Sequence, residues 1–93
     1  MRLTEEQLEA LEQMAYLLIP LRLIAVNFEV LEYDLRNELN DERSPVYQAY
    51  FKGRLRQKME LHQSIVKAAH NGSNPAQEQL LRMMDREESD HLM

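Results

Sequence analysis

Apolar residues recur at intervals of three and four through the first twenty positions, which is the spacing of an amphipathic helix. Thr4 followed by Gln7 has the spacing of a capping box, so a first helix is predicted to begin after Thr4. Pro20 cannot donate a backbone hydrogen bond and disfavours helical geometry in the residue before it, so this helix is predicted to end near Leu18 or to kink there. Its core-facing residues are predicted to be Leu8, Leu11, Met14, Ala15 and Leu18.

The pattern changes between Pro20 and Leu39, where two shorter stripes follow one another. This segment predicts two short helices that meet at a tight corner, with Val30 pointing inward at the corner and Ala25 at the close crossing. Residues 4–39 are therefore predicted to form a helix followed by a helix-turn-helix-like unit. The two short apolar faces are Leu21, Ile24, Ala25 and Phe28, and then Leu31, Leu35 and Leu39.

A long helix is predicted from Pro45 to Ala69, because Ser44 is a suitable cap and one apolar face continues without a break. At about 1.5 Å per residue it is roughly 37 Å long, more than a compact domain of this size needs, so a homo-oligomer is expected. Gly53 predicts either a close backbone approach or a mild bend. The predicted oligomer interface is Tyr47, Phe51, Leu55, Met59 and Val66.

The segment from His70 to Gly72 has the composition of a helix end, and Ser73 or Asn74 with Pro75 predicts a new helix start. The last helix is predicted to run to about Asp85 and to bury Ala76, Leu80, Leu81 and Met84. Residues 86–93 are predicted to be a disordered acidic tail. The sequence thus predicts an all-α fold of about five helices, in a single domain over 1–85 whose second part, 45–85, is the long helix and a short return helix.

The charge is unevenly distributed along the chain, although the net value is only −5. Residues 1–42 carry three basic and ten acidic side chains, residues 43–70 carry six and one, and residues 71–93 carry two and five. A basic middle segment can attract a polyanion, or it can pair with the acidic flanks of its own chain. Both interpretations stay open at this point.

Four of these cations are concentrated at Lys52, Arg54, Arg56 and Lys58. On a helix, alternate residues lie about 200° apart, so the four are predicted to divide between two faces. They are candidates for contacts with a phosphate backbone, since each neutralised phosphate releases counterions. The other interpretation is that they are solvated or pair with the acidic first helix. The predicted nucleic-acid-binding residues are Arg22, Arg36, Lys52, Arg54, Arg56 and Lys58.

Other kinds of site find little support in the sequence. There is no cysteine, phosphate-binding glycine loop or nucleophile elbow, so no enzyme activity and no cofactor are predicted. His62 and His70 fall on roughly one side of the long helix, but no carboxylate joins them at metal-ligand spacing, so no metal is predicted. No apolar run is long enough to span a bilayer or to act as a signal peptide, so a cytoplasmic protein without a membrane contact is expected.

Three segments resemble small helical proteins of phages and prophages, in particular terminase small subunits, which are helix-turn-helix DNA-packaging proteins. They are LIPLRLIAVNFEV from Leu18 to Val30, SPVYQAYFKG from Ser44 to Gly53 and AAHNGSNPAQ from Ala68 to Gln77. The similarity covers about residues 4–84. The chain has Glu29 where many helix-turn-helix turns have glycine.

The resemblance implies an N-terminal unit that binds double-stranded DNA, a central helix that builds an oligomer and a C-terminal tail that engages the large terminase subunit. The expected function is therefore DNA binding, without enzyme activity, in a phage packaging or regulatory complex. The alternative is a helical oligomeric interaction protein that keeps a helix-turn-helix-like core without binding DNA. The acidic second short helix, with Glu32, Asp34 and Glu38 against Arg36, favours the alternative.

Overall fold

The protein is all-α, as the sequence predicts. A computed structural model describes residues 1–92, with side chains for residues 1–87, and this part of the chain contains five helices and no strand. Two compact units divide the chain, one over 1–58 and one from 59 onward. The fourth helix belongs to both, and the single domain predicted over 1–85 stays a prediction. The helices are α1 Glu5–Tyr16, α2 Leu21–Asn27, α3 Glu32–Glu38, α4 Pro45–His70 and α5 Asn74–Leu92.

The first helix begins at the predicted capping box. The Thr4 hydroxyl accepts from the backbone N–H of Gln7 at 3.1 Å, and the Thr4 N–H donates to the Gln7 side chain at 2.8 Å. The helix ends where Leu18 takes a left-handed φ of 61° and Ile19 N–H donates back to Met14 C=O at 3.0 Å. This hydrogen bond satisfies one of the last carbonyls and turns the chain toward α2.

The corner between α2 and α3 is built in the same way. Glu29 has a left-handed φ of 56°, and Val30 N–H donates to Ala25 C=O at 3.1 Å across the turn. Val30 is half-buried against the core and Ala25 is only 2% exposed, so both occupy their predicted places. Glu29 performs here the conformational role that glycine fills more easily.

The core of the first unit gathers residues from α1, α2, α3 and the start of α4. Leu39 and Phe28 pack against it at its edge. Two residues of the predicted apolar faces are exposed instead. Leu18, beyond the end of α1, is 55% exposed, and Leu31, the N-cap of α3, is 69% exposed. The position of Leu31 before the first helical turn removes it from the inward face that Leu35 occupies. The buried residues that form its central cluster are Leu11, Ile24, Ala25, Leu35, Val46 and Ala49, and Ala15 is buried as well.

Gly53 is the point at which α4 crosses α1 with almost no space between the backbones. A Cβ at this position would lie 2.1 Å from the backbone oxygen of Glu12 and 3.0 Å from the Cβ of Ala15. Of the two predicted roles for this glycine, the structure shows the close approach. The absence of a side chain therefore allows α1 to reach α4.

The second unit is a helical hairpin formed by the end of α4 and by α5. Gly72 has a φ of 93°, and Ser73 N–H donates to Ala68 C=O at 3.1 Å, which ends α4 as predicted. Ser73 is the cap of α5, since its hydroxyl accepts from Ala76 N–H at 3.4 Å. Ala69 and Ala76 are buried, and small side chains let the two helices approach closely.

Two predictions about α5 need correction. Leu81 and Met84 are exposed, while Leu80 and Met83 are half-buried, because a helix with one neighbour in its unit can cover only one stripe. The helix also continues to Leu92, past the end predicted at Asp85, since no glycine or proline interrupts residues 86–92. The backbone of 86–92 is thus helical rather than disordered; Met93 and the side chains from position 88 lie outside the described residues.

Among the described residues, no helix combines the length and the apolar character that a bilayer crossing requires.

Candidate nucleic-acid interface

An open groove of about 450 Å³ lies on the first unit, between α3 and α4. Its floor is apolar and aromatic, and three of the predicted nucleic-acid-binding residues stand along it. The groove combines Arg36 from α3 with Arg54 and Lys58 from α4. The remaining lining residues are Leu21, Leu39, Tyr50, Phe51 and Leu55.

The helical repeat explains why only two of the four clustered cations reach this groove. Arg54 and Lys58 are four residues apart and therefore share one face of α4, about 6 Å apart along the helix axis. Arg54 is further positioned by a 3.4 Å hydrogen bond from its Nη1 to the Tyr50 hydroxyl one turn earlier. The predicted division of the basic cluster between two faces agrees with this arrangement.

Arg36 reaches the groove from a different helix. Its guanidinium donates to Glu32 Oε1 from Nη2 at 2.7 Å and from Nε at 3.2 Å, one turn earlier on α3. Both side chains are exposed, so this ion pair is weak and can exchange with another anion. The residues that line the groove include no carboxylate, so Glu32 is a neighbour of the site rather than part of its wall.

Arg56 lies on the other face of α4 and is engaged by α1. Its Nη1 donates to Glu12 Oε2 at 3.0 Å, its Nη2 donates to Gln13 Oε1 at 2.8 Å, and its guanidinium carbon lies 4.4 Å from the centre of the Tyr16 ring. The Gln57 side chain adds a 2.9 Å hydrogen bond to Tyr16 C=O. The interpretation in which basic residues pair with the acidic first helix therefore holds for Arg56.

Two further predicted nucleic-acid-binding residues stand apart from the groove. Lys52 is exposed and shares the face of Arg56 by its spacing of four. Arg22 is exposed on α2 and does not line the groove. The structure thus brings together half of the predicted set.

The exposed surface of α3 is not basic. Tyr33 and Asp34 are exposed, and Arg36 is the only cation of this helix. Glu38 is half-buried and accepts a 2.6 Å hydrogen bond from the Ser44 hydroxyl, which in turn accepts from Val46 N–H at the start of α4. On its α4 side, α3 faces Arg54 and Lys58 without a carboxylate in the lining, whereas Arg2 lines a separate groove together with Asp34 and Glu38.

The predicted oligomer-interface residues occupy different surroundings. In the first unit, Phe51 and Leu55 are exposed in the groove, and Tyr47 is half-buried with its ring centre 4.6 Å from that of Phe51. In the second unit, Met59 is exposed and Val66 is half-buried.

Val66 lines a second open groove of about 470 Å³ together with His62 and His70. The two histidines thus share one side of α4, but within the residues that the structure describes no group of three metal-ligating side chains comes together.

Some groove residues were not identified from the sequence. From the sequence, Tyr50 can belong either to a stacking surface with Tyr47 and Phe51 or to the core, and its spacing of four from Arg54 is the signal that its hydroxyl could hold the guanidinium. Leu21 and Leu39 were assigned to the core, where both are partly buried. Their contribution to the groove floor depends on how α2 and α3 are placed beside α4, which local spacing does not specify.

No protein family, curated protein or solved structure matches this chain.

Proposed function

We propose that the protein is a non-enzymatic DNA-binding protein, acting in a phage packaging complex as terminase small subunits do, or in a regulatory complex. The observation that carries this proposal is the groove between α3 and α4, where Arg36, Arg54 and Lys58 converge without a carboxylate in the lining. Three cations on one surface of an otherwise acidic chain form a site for a polyanion.

The site differs from the usual arrangement in which the second helix of a helix-turn-helix unit enters the major groove. The exposed side of α3 carries Asp34, and Glu29 is exposed at the turn, so that side would repel phosphates. The α4 side carries the cations instead. DNA is therefore expected to contact the unit along α4, with Arg36 as the contribution of α3.

The test is a titration of labelled duplex DNA by fluorescence anisotropy at about 50 mM and about 200 mM salt. Arg54→Ala and Lys58→Ala should each weaken binding to all sequences and reduce the steepness of the salt dependence by about one unit. Lys52→Ala is the matched control, because it removes the same charge from an exposed position of α4 outside the groove. It should have the smaller effect.

Two results would overturn the DNA-binding proposal. One is no detectable binding of either duplex or single-stranded DNA at about 50 mM salt, where phosphate contacts are strong. The other is that Lys52→Ala weakens binding as much as Lys58→Ala does. The DNA would then be attracted by the positive charge of α4 in general and not by the groove.

The second candidate function is a helical oligomeric interaction protein. It is favoured by exposed apolar side chains on α4, namely Phe51 and Leu55 in the first unit and Met59 in the second. Light scattering over a dilution series distinguishes it, because a homo-oligomer exceeds 11.1 kDa and a monomer does not. A large terminase subunit bound through the C-terminal tail and a cytoplasmic location belong to the packaging proposal.

A further inference from the structure

We infer that the groove binds an unpaired nucleotide, with the phosphate against Arg54 and Lys58 and the base against Phe51. The inference rests on the proposed function and specifies its substrate class: single-stranded DNA, or a single-stranded extension of a duplex, rather than duplex DNA alone. It follows from the lining of the groove. The cations account for binding of a phosphate, but they do not account for the exposed apolar and aromatic residues between them.

The floor of the groove is apolar and carries an accessible aromatic ring. Phe51 is 43% exposed, and Leu55 beside it is 56% exposed. A duplex presents sugars and charged phosphates on its outside, so its backbone would cover this floor without giving it an apolar partner. An unpaired base has an exposed π-face that stacks on an aromatic side chain regardless of sequence.

Neighbouring rings hold Phe51 in place. The Tyr50 ring meets it edge-on, with centres 5.1 Å apart and planes at 87°, and the Tyr47 ring lies 4.6 Å away at 46°. A ring that is fixed before binding loses little rotational freedom when a base stacks on it. The same Tyr50 holds Arg54 through its hydroxyl, so one residue orients both the stacking surface and a cation.

The size and charge of the groove suit this ligand. A volume of about 450 Å³ is within the range of sites for small molecules and is open enough for a chain to enter and leave. Lys58 stands one helical turn beyond Arg54, so the cations follow the length of α4. This combination of a positive rim and an apolar floor is that of single-strand-binding surfaces.

The experiment compares three labelled probes of the same length under the same salt conditions: a single strand, the corresponding duplex and a single strand with abasic sites. The protein is the full chain, with variants Phe51→Leu, Lys58→Ala and Tyr33→Leu. Phe51→Leu keeps an apolar side chain but removes the ring. Tyr33→Leu is the matched control, since Tyr33 is an exposed aromatic residue that does not line the groove. Circular dichroism checks that each variant is folded.

The single strand should bind at least about five-fold more tightly than both the duplex and the abasic strand. Phe51→Leu should remove most of that difference, Lys58→Ala should weaken all three probes, and Tyr33→Leu should leave affinities unchanged. The inference is overturned if the duplex binds as tightly as the single strand, or if Phe51→Leu has no more effect than Tyr33→Leu.

The outcomes separate this inference from the proposed function. Binding of all probes that depends on Lys58 but not on Phe51 rejects the stacking role and keeps DNA binding. No binding of any probe rejects both. If Phe51→Leu lowers the mass in light scattering and leaves affinities unchanged, the groove is occupied by a second copy of the chain, and the unpaired-nucleotide inference is wrong.

Discussion

The crossing of α1 and α4 at Gly53 makes a quantitative prediction for Gly53→Ala. The added Cβ would lie 2.1 Å from a backbone oxygen of α1, so the helices must separate by about 1 Å to restore an ordinary contact. Overpacking of this kind costs about 1–3 kcal/mol, and the obstacle here is backbone, which cannot rotate away as a side chain can. The upper part of that range applies.

Alanine also has a higher helix propensity than glycine, which offsets about 1 kcal/mol of this cost. The net expectation is a loss of about 1–2 kcal/mol in the free energy of unfolding, and a thermal midpoint lower by about 5–15 °C. The prediction therefore requires that the free-energy cost of the close contact be larger than the free energy gained from the higher helix propensity of alanine.

Thermal and urea unfolding followed by circular dichroism measure this change. Lys52→Ala is the control, because it lies on the same helix, is exposed and should shift stability by no more than about 0.5 kcal/mol. If Gly53→Ala raised the midpoint instead, helix propensity alone would be acting, and α1 would not cross α4 at this residue.

Three other substitutions test the first unit by the same unfolding measurements. Ala25→Glu should cost at least about 3 kcal/mol, because Ala25 is buried at the α2–α3 corner and offers a charge no partner; an unchanged midpoint would place it on the surface. Glu29→Gly should stabilise the protein by about 0.5–1 kcal/mol by relieving the left-handed φ, and a lower midpoint would contradict this. Arg56→Ala should cost about 1–2 kcal/mol yet leave DNA affinity unchanged, and a loss of affinity in a folded variant would return Arg56 to the DNA contact.

The helices and their ends could be predicted because their signals are local. Thr4 with Gln7 specifies a capping box, Gly72 specifies a left-handed helix end, and both are where the sequence placed them. Gly53 also gave a usable signal, since a glycine within a long apolar pattern indicates a close approach or a bend. These features need only a few neighbouring residues to define them.

The features that sequence reasoning missed depend on tertiary packing. Leu31 continues a spacing of four with Leu35, but the helix begins one residue later and leaves Leu31 exposed. Leu81 and Met84 have apolar spacing too, yet the end of α4 covers the stripe of α5 that holds Leu80 and Met83, and Leu81 and Met84 stay exposed. Glu29 shows the reverse case, because a left-handed turn forms there without the glycine that would have signalled it.

The groove itself could be predicted only in part for the same reason. Helical spacing indicates that Arg54 and Lys58 share a face, but nothing local to either residue indicates that Arg36 would join them. That depends on α3 packing beside α4, which the buried Leu35 and the half-buried Leu39 bring about.

The surroundings of the four clustered cations show how much of the positive charge of the middle segment is accessible to a polyanion. Arg56 is paired with Glu12, and its guanidinium also contacts Gln13, so its charge is compensated within the first unit. Arg54 and Lys58 face a groove whose lining holds no carboxylate. The excess of positive charge counted along the sequence therefore overstates what a polyanion can reach. Since the salt dependence of binding counts the phosphates that are neutralised, it should correspond to the cations of the groove and not to the whole basic segment.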